Sequence, residues 1–190
     1  YGLTGKTNFY ELGSVLSSQG LSEPPVVVAL ALVAVGFAFK ISAVPFHFWT
    51  PDVYEGAPTS ITAFLSTASK AASFALLLRF LLAVFPPADL IGSVDSAVHD
   101  YSAVWVQLLA VMATVSMSLG NVLALVQTNI KRLLAYSTIA QAGYILIGVA
   151  AIATDKSGDG AAAVAFYMFM YVMTNMLAFG VVILFANVTG

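Results

Sequence analysis

Long apolar runs separated by short polar turns organise this chain. The runs cover about 26–49, 58–85, 103–127, 133–153 and 161–188. The first is interrupted only by Lys40 and the second by Lys70 and Arg79, while the last three contain no charge. A bilayer core of about 30 Å takes roughly 20 apolar residues as a helix, so each run is long enough to cross. Barrel strands would alternate polar and apolar positions over about ten residues. Runs such as 26–39 do not alternate. The pattern therefore predicts an all-α, polytopic transmembrane helix bundle with about five spanning helices, preceded by a polar lead-in loop over 1–25. Backbone groups in lipid must be satisfied internally, which helices do.

The connections carry turn signals: Glu23-Pro24-Pro25, Pro51-Asp52 through Glu55-Gly56, Pro86-Pro87-Ala88-Asp89, Asn129 to Arg132, and Asp155 to Gly160. Pro58 suits the first turn of the second helix, where its missing N–H is no loss. Lys131 and Arg132 share a side with the Asp52–Glu55 turn, and the acidic segment from Asp89 to Asp100 faces the other way. The basic pair assigns its side to the cytoplasm or its equivalent. Trp49 and Tyr54 are expected as anchors at one boundary, Tyr101 and Trp105 at the other.

Composition strengthens this picture. Of 190 residues, 60% are hydrophobic and 8% charged, against about 25% charged in a soluble domain. The mean hydropathy is +0.94. Too little polar surface exists to cover a water-soluble globule. A net charge of −2 points to no nucleic-acid partner. Cysteine is absent, which removes disulfides, iron–sulfur ligation and thiolate zinc sites. No nucleophile–base pair, metal cluster or glycine-rich phosphate loop stands out. The chain begins at Tyr1 with a polar, turn-rich stretch lacking a signal-peptide core, and reads as an internal piece of a longer protein.

The two mid-run lysines are the candidate chemistry. Lys40 lies about 14 residues into its run and about 11 before Asp52, roughly 15 Å from either surface. A lysine side chain reaches only about 6 Å, too short to bring the ammonium to water. Lys70 is placed similarly in the second run. A cation at mid-bilayer costs on the order of 3 kcal/mol on insertion scales, so such residues face a polar interior and carry function by default. A lysine between desolvation and a neighbouring charge can exchange a proton near neutrality, which arginine cannot. The bland alternative is a fixed lysine that only ties helices together.

Nearby residues extend the site. Ser66 and Ser73 lie at i−4 and i+3 from Lys70. They either hold water beside the amine or allow close helix packing. Pro45 cannot donate to the Ile41 carbonyl, so the first helix should kink or break there, and freed backbone at membrane depth lines cavities. His47, seven residues past Lys40, is a further relay candidate if helicity persists. Its alternative is an interfacial place among Phe46, Phe48 and Trp49. Arg79 is read as structural, reaching the interface or an acid near Asp89. The stripes Tyr167, Tyr171, Asn175 and Ser137, Gln141, Tyr144 read as interhelical hydrogen bonds more readily than as a proton wire. Every acid lies in or near a connection, so a carboxylate that modulates the lysines is expected from outside this piece.

The segment Phe39-Lys40-Ile41-Ser42-Ala43-Val44-Pro45-Phe46-His47-Phe48-Trp49-Thr50-Pro51-Asp52-Val53-Tyr54-Glu55-Gly56-Ala57-Pro58-Thr59 closely resembles the antiporter-like, proton-translocating subunits of respiratory complex I. Ser69-Lys70-Ala71-Ala72 with Arg79, and Gln127 through Lys131-Arg132 to Ser137, match as well. The Val-Tyr-Glu-Gly and Ser-Lys-Ala-Ala forms are similar to the N-type subunit (subunit 2), photosynthetic relatives included. The resemblance covers nearly the whole chain. It implies an inverted-repeat fold of about fourteen helices, two repeats of five helices each containing a broken helix. Lys40 would match the lysine of the first broken helix and Lys70 the central lysine of the next. The family's glutamate partner and a further lysine would lie outside this piece, which would hold the seventh to eleventh helices.

The resulting expectation is proton translocation through a lysine relay, within an NADH- or ferredoxin-linked quinone oxidoreductase. No redox cofactor is expected in this chain; quinone, flavin and iron–sulfur clusters are expected in partner subunits. The partners are other membrane subunits and the lipid bilayer, in a bacterial plasma membrane, with thylakoid or mitochondrial inner membrane as the other settings. The rivals are a cation/proton antiporter subunit of the same superfamily and a non-transporting membrane scaffold.

Overall fold

The computed structural model describes residues 1–2, 4–19, 24–84, 96–152 and 159–189. Among these residues the regular structure is all helix: α1 (Phe9–Gln19), α2 (Pro24–Ile41), α3 (Trp49–Gly56), α4 (Thr59–Ser66), α5 (Ala68–Val84), α6 (Ser96–Leu125), α7 (Ile130–Ile152) and α8 (Asp159–Thr189). Five segments are long and apolar enough to cross a membrane: Pro24–Ile41, Thr59–Val84 (α4 and α5 together), Trp105–Leu125, Ile130–Ile152 and Asp159–Val188. Five spans and helices without strands, among the described residues, match what the apolar runs predict.

Three features differ from the sequence reading. The lead-in contains a helix, α1, where a loop was expected. Asn8 begins it by accepting the Tyr10 N–H at 3.0 Å, and Glu11 sits in its first turn, where a negative charge suits the helix dipole. Its apolar face docks on α5, with the Phe9 and Phe80 rings edge-on at 5.4 Å. Gly13 permits the approach, since a Cβ there would meet the Ala83 carbonyl oxygen at 2.6 Å. An eleven-residue helix owes its stability to that packing, because isolated helices this short are marginal.

The first spanning helix stops at Ile41, well before 49, and resumes as the separate half-helix α3. The second is interrupted at Thr67, dividing α4 from α5. No proline or glycine causes that second break. Instead the Thr67 hydroxyl donates to the Ala63 carbonyl at 2.7 Å and the Ser66 hydroxyl to the same carbonyl at 2.9 Å. Such back-bonding bends helices, and here two side chains crowd one acceptor.

The long antiparallel pair α6 and α7 forms the most extensively packed interface. Small residues bring the two backbones together: a Cβ on Gly143 would lie 2.8 Å from the Ala113 carbonyl oxygen. Close approach of this kind is how membrane helices gain van der Waals contact where the apolar effect between them is weak. The half-helix α3 packs on α7, and α4 packs on α8. Tyr54 and Phe179, both fully buried, meet edge-on at 6.5 Å between α3 and α8.

Candidate functional site

The site is built around the end of α2. Ser42 has φ 63°, the left-handed region that ordinarily selects glycine. Its N–H donates to the Phe39 carbonyl at 3.2 Å, and the Ala43 N–H reaches back to the Ala38 carbonyl at 2.9 Å. This is the paired closure of a Schellman cap, with serine at the glycine position. Helix α2 therefore ends four residues before Pro45, at Ile41, although Pro45 supplies the reason for the free carbonyl. In a continuous helix Ile41 would accept from residue 45, which has no N–H. The Val44–Pro45 peptide is cis, and Pro45 itself is exposed.

Several groups freed by the break find partners. Lys70, from the first turn of α5, donates to the Ile41 carbonyl at 2.6 Å and to the Ser42 hydroxyl at 2.5 Å. Thr50, at the start of α3, donates to the same Ser42 hydroxyl at 2.5 Å. The Val44 N–H donates to Ser116 Oγ of α6 at 2.9 Å. The Trp49 indole N–H donates to the Phe39 carbonyl at 3.0 Å. The Lys70 ammonium stands 5.8 Å from the centre of the Trp49 ring, within cation–π reach. Lys70 is 2% exposed, and Ser42, Thr50 and Ser116 are fully enclosed. Among the described residues no carboxylate pairs with Lys70. Its amine sits against the carbonyl end of α2, where a helix dipole presents partial negative charge.

Lys40 lies elsewhere on α2. It is exposed and lines a groove with Gly36, Phe64, Ala68, Ser69, Ala72 and Ser73. His47 is buried in the non-helical stretch between α2 and α3, so the helical register that would place it below Lys40 does not exist. Its ring lies 4.4 Å from that of Phe48, and its Nδ1 is enclosed without a protein partner. The break at Thr67 falls between Ser66 and Lys70. The Ser66 hydroxyl donates to Ala63 and the Ser73 hydroxyl to Ser69, at 2.9 and 2.7 Å, so both serve their own helices. Arg79 is exposed on α5; Asp89, the acid expected near it, lies outside the described residues, as do Asp95 and residues 155–158 of the fourth connection.

The polar stripes of α7 and α8 do join helices. Tyr171 donates to the Ser66 carbonyl at 2.9 Å, which the α4–α5 break leaves free. Tyr167 donates to the Gln141 side chain, and Asn121 donates to the Tyr144 hydroxyl at 2.9 Å. Asn175 instead donates within its own helix, to the Tyr171 carbonyl. Tyr171→Phe should lower the stability of the solubilised protein by about 1–3 kcal/mol, because it strands a buried carbonyl. Thermal unfolding checks this, and an unchanged transition would show that another donor reaches Ser66.

Thr50, Ser116 and Trp49 were not singled out from sequence as partners of the lysine. Trp49 is expected from sequence as a boundary anchor, and Thr50 is one residue of the adjoining turn segment. Ser116 is one small residue in an apolar run, and only the fold reveals that it faces Val44.

A polytopic helical membrane protein, with a buried ammonium seated on the broken end of a spanning helix, is the class this geometry defines. The chain belongs to the NADH:quinone oxidoreductase/Mrp antiporter transmembrane family, whose model matches residues 1–189. NADH-quinone oxidoreductase subunit N 2 of Chloroherpeton thalassium is 49% identical over 190 residues, covering 100% of this chain and 35% of that protein. NAD(P)H-quinone oxidoreductase subunit 2 of Thermosynechococcus vestitus is 49% identical over 191 residues, covering 100% of this chain and 33% of that protein. The chain thus spans about a third of the length of the curated relatives it matches. A chain of respiratory complex I from Thermus thermophilus superposes with TM-score 0.63 at 38% identity, over 92% of this chain and 36% of its own. A chain of the Mrp complex from Dietzia sp. shares the fold, with TM-score 0.74 at 24% identity over 94% of this chain and 29% of its own.

Proposed function

We propose that this chain is part of a proton-translocating membrane subunit of a quinone-reducing, complex I-type assembly, with Lys70 as its internal proton carrier. The observation that carries the reading is the seat of Lys70: an ammonium 2% exposed, held by a free carbonyl and a hydroxyl rather than by a carboxylate. A tight ion pair would fix the proton; two neutral acceptors hold the cation without locking it. Lys40, one residue before Ile41 and lining an open groove with Ser69 and Ser73 of the helix that bears Lys70, is the second carrier. His47, with an enclosed and unpartnered ring nitrogen, is a candidate third group once water reaches it.

The names of the related proteins support the setting. Subunits called N or 2 of NADH-quinone oxidoreductases match along this whole chain. In that setting quinone, flavin and iron–sulfur clusters belong to partner subunits, and the neighbours in the bilayer are other membrane subunits. A bacterial plasma membrane is the proposed location. Electron transfer elsewhere in the assembly would change the charge near Lys40 and Lys70, and the carriers would release and take up protons on opposite sides.

The test is proton translocation per electron in the assembled complex carrying Lys40→Ala or Lys70→Ala. Each is expected to cut it at least several-fold, with the subunit still incorporated. Full coupling in both variants would exclude the relay and favour the scaffold alternative.

A further inference from the structure

At its other end, α3 is gripped by the turn between α6 and α7. Arg132 donates to Asp52 at 2.9 Å and to Glu55 at 2.7 Å. Lys131 donates to the backbone carbonyls of Glu55 and Ala57 at 3.0 and 2.9 Å. Asn129 donates to the Glu55 carboxylate at 3.1 Å, and its own side-chain oxygen accepts the Lys131 N–H at 2.9 Å. The last contact caps the start of α7, so the residues that grip α3 are themselves fixed.

The ion pairs alone would not signify much. The side chains of Arg132, Asp52 and Glu55 are 31%, 75% and 42% exposed, and exposed pairs contribute little because water screens them. What distinguishes this cluster is convergence. Three side chains from one turn hold the last turn of an eight-residue helix, and one of them places a cation on carbonyls at its C-terminal end, where the helix dipole favours it. An isolated helix of that length has no stability of its own. Its position is set by what holds its two ends.

The opposite end of α3 is the lysine site. Thr50 is five residues from Glu55, about 7.5 Å along a helix axis. It donates to the Ser42 hydroxyl on which Lys70 also donates. We propose that Asn129, Lys131 and Arg132 are positioning residues for Lys70: they hold α3 from the membrane surface, and α3 through Thr50 holds the hydroxyl that receives the buried amine. The turn touches neither lysine. It acts through a short helix fastened at both ends. This proposal rests on the reading that Lys70 carries protons.

Two variants test it in the assembled complex. Arg132→Glu sets three acids against one another, and Lys131→Met withdraws the cation from the α3 carbonyls without adding repulsion. Amide hydrogen exchange over 50–57 is measured beside protons translocated per electron. We expect exchange to rise about tenfold, as a modest loss of restraint produces, and coupling to fall by about half or more. The charge-swapped double variant, Arg132→Glu with Glu55→Lys, should restore both. Unchanged exchange overturns the latch. Faster exchange with full coupling, or lost coupling that the swap fails to restore, overturns its link to Lys70. Lys70→Ala is run alongside. Coupling lost there but kept in Arg132→Glu sinks the latch alone, whereas coupling kept in Lys70→Ala sinks the relay reading and the positioning claim with it.

Discussion

Lys70→Arg is expected to abolish proton translocation as completely as Lys70→Ala, while keeping more of the protein's stability. An arginine retains the positive charge and can still donate to the Ile41 carbonyl, so a lysine that merely pins α5 to the broken helix would be replaced with modest loss. A carrier would not, because a guanidinium does not release its proton in the accessible pH range. Alanine removes the donor altogether and leaves the Ile41 carbonyl and Ser42 hydroxyl enclosed, at about 1–3 kcal/mol for each group left unpaired. The comparison therefore separates two roles by their opposite demands. Stability should rank wild type, then Arg, then Ala; translocation per electron should be lost in both variants. Measurable pumping in Lys70→Arg would reduce Lys70 to an anchor.

The second large effect is expected at Ser42, where backbone and side chain make separate demands. A residue with a Cβ in the left-handed region carries about 1–2 kcal/mol of strain, and Ser42 carries it at φ 63°. Ser42→Gly relieves that strain but deletes the hydroxyl shared by Lys70 and Thr50. Ser42→Ala deletes the hydroxyl and keeps the strain, so it should unfold more readily than Ser42→Gly. Ser42→Val adds a β-branched side chain where φ is positive, which makes a genuine outlier, into a fully enclosed position. It should be the least stable, with a melting temperature several degrees below that of wild type. Thermal unfolding of the three variants gives the order, and translocation gives the hydroxyl's share. Activity reduced in Ser42→Gly despite an unstrained backbone would assign the hydroxyl a part in the relay. Equal unfolding of Gly and Val variants would mean that the break is not held in the conformation described.

The spans and the buried lysine were legible because they rest on strong signals. A run of apolar residues has one use in a membrane, and a charge within it needs a special seat. The free Ile41 carbonyl was also legible, since a proline four residues on can always be named as the missing donor. The place of the break was not. It depends on Ser42 adopting a conformation that serine seldom adopts, stabilised by Lys70 from 28 residues further along the chain, and no local pattern announces such a bond. The interruption at Thr67 was hidden for a related reason. Its cause is two hydroxyls competing for Ala63 and a tyrosine from α8 taking the carbonyl so released. The helix α1 was read as loop because its stability comes from docking on α5. The basic turn at Lys131 and Arg132 was placed on the correct side relative to Asp52 and Glu55, but sequence offered no reason to expect that it grips α3.

The bond from Lys70 to Ile41 also bears on how such a chain enters a membrane. As α2 leaves the ribosome it carries a carbonyl that lipid cannot satisfy, and an unmatched backbone group in hydrocarbon costs several kcal/mol. The segment bearing Lys70 carries a cation that costs on the order of 3 kcal/mol to insert alone. Each segment holds what the other lacks. The two are thus poorly suited to partition singly and well suited to partition together, as a hairpin whose halves meet before either is released to the lipid.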